Sequence, residues 1–236
     1  MDYLALLSSI VLGACSVFWL KLDQPRHLKP LNAFVGAYLL SLTFLHLLPE
    51  LYETTHAPAW VIGVLILAGF YVQVALESVS QGIEHGHSHA VGKKFPVGIL
   101  AGLCIHAFIE AMALGRPDSY HDPKTRRLLL WSIVVHNYPV SIALLGMLLH
   151  SGLRRGAALG GLGLFAVMAP LGLLVSGNVE FFARHSQELM AVVIGIFMHI
   201  STTILFESEE GNHLHRRKLG AIFIGTGLGF LSLVFE

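Results

Sequence analysis

The chain has 236 residues, of which 54% are hydrophobic and only 13% are charged, whereas an ordinary soluble domain has about 25% charged residues. So few charges cannot cover a soluble globule, and the balance of 15 Lys and Arg against 15 Asp and Glu leaves no basic surplus for binding phosphates. A soluble domain is therefore excluded, and nucleic acid is not an expected partner. The two cysteines lie inside apolar runs and offer neither a disulfide framework nor a paired metal motif. The composition also contains 14 histidines, which any account of the chain has to explain.

Long apolar segments separated by short polar breaks are typical of a polytopic membrane protein, because a helix needs about 20 apolar residues to cross the hydrocarbon core. Eight such segments follow one another, at residues 3–20, 31–51, 59–77, 95–115, 128–150, 156–176, 188–206 and 219–235. Lipid offers the backbone no hydrogen-bond partners, so the segments are predicted to be helices. Glycine-rich patches at 160–163 and 225–229 indicate close helix packing. The sequence thus predicts an all-α polytopic membrane protein in which residues 1–236 form one transmembrane domain of eight helices.

Basic residues in the connections predict the orientation, since Lys and Arg near the ends of spans are retained on the cytoplasmic side. One set of connections carries ten of them and the other set carries five. We therefore expect both termini to lie outside the cytoplasm. The loops at 78–94 and 207–218 are then cytoplasmic, and the first of them is rich in histidine.

The second predicted span ends with a histidine and a glutamate four residues apart, His46 and Glu50. At that spacing both side chains lie on one face of a helix, one turn apart. Because Glu50 lies near the predicted outer end, two interpretations stand equally. The pair either collects metal ions at an entrance or is an interfacial pair in contact with solvent.

The fourth predicted span repeats this spacing with His106 and Glu110, now well inside the apolar run. A charged residue at the middle of a span costs about 2.5 to 3.5 kcal/mol on insertion scales, so its presence needs a reason. An imidazole nitrogen and a carboxylate oxygen on one helix face can hold one divalent cation. The alternative is a neutral, hydrogen-bonded pair that fixes the packing of the helix.

Two more histidines lie within predicted spans. His136 comes three residues before Pro139, whose ring frees the carbonyl of Val135 and is expected to kink the helix beside the histidine. A ligand position at the kink and a kink made for packing are both open. His199 lies in the middle of the seventh span next to hydroxyl side chains. It is either a metal ligand or a packing histidine held by a hydrogen bond.

Closely spaced histidines also occur in the two predicted cytoplasmic loops, as His85, His87 and His89 in one loop and His213 and His215 in the other. Neutral imidazoles on a flexible backbone bind zinc, copper, iron and nickel. A merely polar loop is the alternative. Together with the two His/Glu pairs and the histidine beside a proline, these loops indicate one pathway for a divalent metal ion.

These motifs resemble those of the ZIP (Zrt/Irt-like) divalent metal transporter family over essentially the whole chain. The family's fourth-span motif, His-Asn-x-x-Glu-Gly, is matched by His106 and Glu110, but Ala107 replaces its Asn and Ala111 replaces its Gly. The fifth-span motif is matched by His136 and the proline after it, but Val140 replaces its last ligand. Further similarities lie at residues 46–50 and 195–207.

The resemblance implies an inverted-repeat helix bundle of ZIP type, in which one group of helices slides against the other. Family members with two adjacent metals use the positions that are Ala107 and Val140 in this chain, and neither side chain can ligate. The resemblance therefore implies one transport site made by His106, Glu110 and His136, with at least one coordination position left for water. One carboxylate fewer also shifts the expected preference away from hard ions.

The resulting hypothesis is a secondary transporter, not an enzyme, that moves zinc or a similar divalent transition metal toward the cytoplasm. The metal ion is the substrate of this transporter, and no organic cofactor is expected. The lipid bilayer surrounds the protein, and whether it assembles as a homodimer stays open. The metal would pass from His46 and Glu50 through the central ligands to His199 and then to the loop histidines. Two alternatives remain, an intramembrane zinc hydrolase with Glu110 as the base and a metal-sensing membrane protein without transport.

Overall fold

A computed structural model describes residues 1–80, 97–116, 123–206 and 212–234 of the chain. Every regular element among these residues is helical. The elements in chain order are α1 (Asp2–Cys15), α2 (Pro25–Leu42), α3 (Leu48–Thr54), α4 (Ala59–Ser80), α5 (Val97–Met112), α6 (Pro123–His150), α7 (Arg155–Asn178), α8 (Glu180–Arg184), α9 (Ser186–Phe206) and α10 (Asn212–Val234). One π-helical turn at Ser16–Leu20 continues α1, and another at Thr43–Leu47 joins α2 to α3.

Six of the described helical stretches are long and apolar enough to cross a membrane, judged by length and composition. They are Asp2–Leu20, Pro25–Thr54, Ala59–Val79, Pro123–His150, Arg155–Asn178 and Ser186–Phe206. The helix α5 is apolar but has only 16 residues, and α10 overlaps the eighth predicted segment. The prediction of an all-α polytopic membrane protein is confirmed, while the number of eight spans stays a prediction.

The largest departure from the predicted spans concerns the second one. The apolar pattern begins at residue 31, but the helix already begins at Pro25, whose fixed φ suits the first turn of a helix. The helix then passes through the π-helical turn at Thr43–Leu47 and ends at Thr54. Such turns are frequent at functional positions, and this one contains His46. Hydrophobic periodicity does not predict a single wide turn, because the apolar run continues through it.

The long helices pack as two groups of four. In the first group α1 packs on α6 and α5 packs on α7, and in the second group α2 packs on α10 and α4 packs on α9. Exchanging α1 with α7, α2 with α9, α4 with α10 and α5 with α6 maps these pairings onto one another. The inverted repeat that the family resemblance implies stays a prediction.

Glycines let paired helices approach backbone to backbone. A Cβ added to Gly69 on α4 would lie 1.9 Å from the Val192 carbonyl oxygen, and one added to Gly195 on α9 would lie 1.9 Å from the Ile66 carbonyl oxygen. Gly172 likewise allows α7 to approach α5 closely, since a Cβ added there would lie 2.2 Å from a backbone oxygen of α5. Small residues of this kind allow the close contacts that hold helices together in lipid.

The two glycine-rich patches predicted to pack closely differ in their surroundings. Gly225 on α10 lies against α2, where an added Cβ would come within 2.3 Å of the Phe34 carbonyl oxygen. For Gly160 and Gly163 on α7, no described atom lies within 4 Å of an added Cβ. The prediction of close packing is therefore confirmed at Gly225 and at Gly229, where an added Cβ would lie 2.4 Å from Ser41 Cβ, and is wrong at Gly227 and for most of the patch in α7.

Two buried apolar clusters follow one another along the bundle. One contains the end of α5 and the first half of α6, including Ala111 and Ile133. The other contains the start of α5 and the second half of α6, including Leu103 and Leu144. His106 and Glu110 on α5 and His136 on α6 fall where the two clusters meet, and His136 lies at the middle of the 28-residue α6.

The close crossing of α4 and α9 leads to a stability prediction. Gly69→Ala is expected to lower the melting temperature of the detergent-solubilised protein by several degrees, since overpacking typically costs about 1 to 3 kcal/mol. The matched control is Gly163→Ala, whose added methyl group meets no described atom. The control should keep or raise the melting temperature, because Ala favours a helix over Gly by about 1 kcal/mol. Equal melting temperatures for the two variants would contradict the crossing.

Candidate metal centre

Three side chains from two helices converge where the apolar clusters meet. His106 and Glu110 lie one turn apart on α5, and His136 lies on α6. His106 Nε2 is 3.0 Å from Glu110 Oε1 and 3.4 Å from His136 Nε2, and one ligand atom of each residue lies within 4.8 Å of the others. Within the described part of the chain, no other three His, Cys, Asp or Glu side chains are grouped in this way. The structure thus brings together the three predicted central ligands.

The distances between these atoms suit a tetrahedral metal site. Zinc bonds to nitrogen and oxygen are about 2.0 to 2.2 Å long, which corresponds to about 3.3 to 3.6 Å between the ligand atoms of a tetrahedron. The observed separations of 3.0 and 3.4 Å are close to that range. Three protein ligands leave a fourth position open, as in zinc sites that exchange a ligand rather than in closed structural sites.

The three ligands are cut off from solvent. His106 and Glu110 are 0% exposed, and His136 is 1% exposed. Neither carboxylate oxygen of Glu110 accepts a well-aligned hydrogen bond from the described residues, although one oxygen lies close to the His106 ring. A buried carboxylate in these surroundings requires a cationic partner. The arrangement is therefore chemically suited to hold a divalent cation.

A fourth polar side chain contacts this centre from the other group of helices. Gln73 lies on α4 and is 0% exposed. Its Oε1 is 3.0 Å from His106 Nδ1, which is the ring nitrogen that does not face Glu110. The imidazole of His106 is thus contacted through both of its nitrogens.

His199 lies beside a glutamate that is not part of any of the predicted histidine motifs. Its Nε2 is 2.5 Å from Oε2 of Glu77 on α4 and 3.5 Å from Thr203 Oγ1. Its Nδ1 is buried and has no hydrogen-bond partner among the described residues. Glu77 follows Gln73 by one turn, on the same face of α4. A signal for both was present, since they are the only strongly polar side chains in the third predicted span.

The other predicted ligands lie apart from this centre or outside the described residues. His46 Nε2 is 2.8 Å from Ser232 Oγ on α10, and Glu50 is buried, with 6% of its surface exposed. Neither belongs to the group of three ligands. The following predicted ligands lie outside the described residues: His85, His87 and His89. The side chains of His213 and His215 are also outside the described part.

The two positions at which this chain lacks a ligand of the family's motifs are part of the apolar packing. Ala107 and Val140 are each 1% exposed and belong to the second apolar cluster. Asn137, next to His136, is completely buried, and its amide has no hydrogen-bond partner among the described residues. The candidate donor set of the centre consists of two imidazoles and one carboxylate.

Comparison with known proteins places these observations in a family. The family model described as ZIP Zinc transporter matches residues 96–235, a stretch that contains all three ligands. Zinc transporter ZIP9-B of Xenopus laevis is 26% identical over 178 residues, which are 68% of this chain and 57% of that protein. Zinc transporter ZIP9 of Micropogonias undulatus is 27% identical over 197 residues, which are 78% of this chain and 61% of that protein. The chain thus spans about three fifths of the length of these curated relatives.

The buried carboxylate leads to a binding prediction. Glu110→Gln is expected to weaken zinc binding by at least about tenfold, because it removes the negative charge of the donor set and leaves its size unchanged. The measurement is calorimetric titration of the purified protein in detergent with zinc. Glu180→Gln is the matched control, since Glu180 lies on the surface of α8 and pairs with Arg184. Equal zinc affinities for the two variants would contradict the assignment of Glu110 as a ligand.

Proposed function

Since the chain belongs to the ZIP zinc transporter family, we propose that it carries zinc or a similar divalent transition metal across the membrane toward the cytoplasm. The observation that carries the proposal is the convergence of His106, Glu110 and His136 inside a bundle of apolar helices. A single three-ligand site at the middle of α6 would hold the ion far from both ends of the bundle. The inward direction is part of this proposal, and the basic connections predict which end of the bundle faces the cytoplasm.

An intramembrane hydrolase is less well supported than a transporter. A zinc hydrolase needs a carboxylate that acts as a base on metal-bound water. The Glu110 carboxylate instead lies within the group of ligands, 3.0 Å from His106 Nε2. The relatives are also named as transporters. A metal sensor would share the same ligands, and a flux measurement separates it from a transporter.

We also propose a route into and out of the central site. His46 and Glu50 would collect the ion near the outer end of the second span. His199 and Glu77 would receive it on the cytoplasmic side, because Glu77 lies near the end of α4 that leads to the predicted cytoplasmic loop. Glu77 is about 6 Å along α4 from Gln73. The histidines that would then accept the ion are His85, His87 and His89.

Loss of two central ligands should abolish transport. Zinc uptake by vesicles or cells that carry the double variant His106→Ala plus Glu110→Ala is expected to fall to background, since a single imidazole does not hold the ion. His185→Ala serves as the control, because His185 lies at the end of α8 and contacts the Phe181 carbonyl. Unchanged uptake in the double variant would rule out the central site.

Loss of His199, which forms the proposed exit pair with Glu77, should slow transport without changing the central site. His199→Ala is expected to lower the maximal uptake rate by about tenfold, an effect typical of losing a group that holds a metal. Zinc affinity of the purified protein should stay at the wild-type value. Thr202→Val is the neighbouring control, because the Thr202 hydroxyl donates to backbone carbonyls of its own helix. A wild-type uptake rate in His199→Ala would exclude this pair from the route.

A further inference from the structure

The contact between Gln73 and His106 is not explained by the three ligands alone. A buried amide costs free energy unless its hydrogen bonds are made, and a helix that only crosses lipid does not need one. Gln73 is nevertheless completely buried within α4. Its carbonyl oxygen, Oε1, lies 3.0 Å from Nδ1 of a metal ligand. The position of this amide therefore bears on how His106 ligates.

The contact decides which nitrogen of His106 can bind a metal ion. A neutral imidazole carries one N–H group, and a carbonyl oxygen only accepts, so Nδ1–H donates to Gln73 Oε1. Nε2 then carries the free electron pair. Nε2 is also the atom that lies 3.0 Å from Glu110 Oε1 and 3.4 Å from His136 Nε2. The other neutral tautomer would place a hydrogen where the metal has to bind.

Gln73 and the ligands belong to different groups of helices. The three ligands lie on α5 and α6 in the first group, whereas Gln73 lies on α4 in the second group, which packs against α5. A displacement of the groups by one helical turn is about 5.4 Å. A hydrogen bond of 3.0 Å does not survive such a displacement. The orientation of His106 therefore depends on how the two groups are aligned.

We propose that Gln73 is a positioning residue of the metal centre, which holds His106 in the Nδ1–H tautomer through Gln73 Oε1 and so favours metal binding in this alignment of the helix groups. The proposal rests on the proposed function, because it assigns the control of the same site. Partners on the second nitrogen of a ligating histidine typically change metal affinity or activity by about 10- to 100-fold. In this protein the partner, Gln73, comes from the other helix group. The affinity of the centre for metal would therefore depend on how the two groups are aligned.

Titration with cobalt(II) tests the proposal, because the visible absorption of cobalt reports both binding and coordination geometry. In detergent, the purified Gln73→Met variant should bind cobalt about 10- to 100-fold more weakly than the wild-type protein. The Met side chain fills the space of Gln73 but offers no good hydrogen-bond acceptor. Gln73→Glu should keep at least the wild-type affinity, because its carboxylate still accepts from Nδ1–H. A role in packing alone predicts the reverse order, since Met nearly conserves volume and a buried extra charge is costly.

The matched control is Gln187→Met on α9. The Gln187 amide donates to the Thr54 carbonyl, and Gln187 lies about 18 Å along the helix from His199. This variant should bind cobalt with the wild-type affinity and spectrum. Wild-type affinity in Gln73→Met, or equal weakening in Gln73→Met and Gln73→Glu, would overturn the proposal.

A measurement on the wild-type chain does not depend on whether a variant folds. With zinc bound, nuclear magnetic resonance of protein labelled with ¹⁵N-histidine should show His106 protonated at Nδ1 and bound to metal at Nε2. The signals are assigned by their loss in His106→Gln. Metal bound at Nδ1, or a proton at Nε2, would overturn the proposal.

Flux measurements on the same proteins separate this proposal from transport itself. A wild-type protein that binds cobalt with the expected order of variants but moves no zinc into vesicles would support the role of Gln73 and overturn transport. A protein that transports zinc with equal metal affinity in all Gln73 variants would overturn only the role of Gln73. A wild-type protein that binds neither cobalt nor zinc would overturn both.

Discussion

A carboxylate that is completely buried in an apolar bundle is the constraint on which the rest of the structure depends. Glu110 is 0% exposed, and a charge at the middle of a span costs about 2.5 to 3.5 kcal/mol on insertion scales. The structure places two imidazole nitrogens close enough to share one cation with this carboxylate. Apolar clusters lie on either side of the three ligands along the bundle. The Glu110 carboxylate destabilises the bundle when it has no cation beside it, and its interaction with a bound cation offsets that cost. The proposed transport requires such an attraction for the metal ion.

The two groups of helices differ in what they contribute to this centre. The first group carries all three ligands, and Arg126 ties its helices together by donating to Asp2 on α1 and to the Leu114 carbonyl after α5. The second group carries the pair of Glu77 and His199, and its helices α4 and α9 meet backbone to backbone at glycines. Under the proposed function the ion would therefore pass from ligands of one group to ligands of the other. Gln73 contacts the centre across the boundary at which that transfer would occur.

The sequence predicts the fold and the central ligands for different reasons. Apolar runs set the helices because lipid enforces intrahelical hydrogen bonding, and the observed bounds differ from the predicted ones mainly where a polar first turn precedes the run. His106 and Glu110 were found because both lie on one helix at a spacing that periodicity detects. His136 is a candidate because of the proline three residues after it, and the family resemblance implies that it shares one site with this pair. Gln73 and Glu77 were missed because their importance comes from contacts between helices, which no periodicity encodes. Hydrophobic periodicity also does not predict the π-helical turn around His46, because an apolar run has the same sequence pattern through a wide turn as through an ordinary one.

Because Ala107 and Val140 belong to the apolar packing, the proposed donor set has a single carboxylate. Two neutral imidazoles and one carboxylate leave a bound divalent ion with a net positive charge, and nitrogen donors favour zinc-like metals over the hard ions that require oxygen ligands. A second carboxylate would neutralise the ion and hold it more tightly, but an ion that is transported has to leave. The site instead receives the dipole of Gln73 through His106. A dipole that comes from a neighbouring helix can be withdrawn by a shift of that helix, whereas a carboxylate on the ligand helix stays with the ion. Under the proposed role of Gln73, the affinity of the centre would therefore respond to the packing of the helices around it.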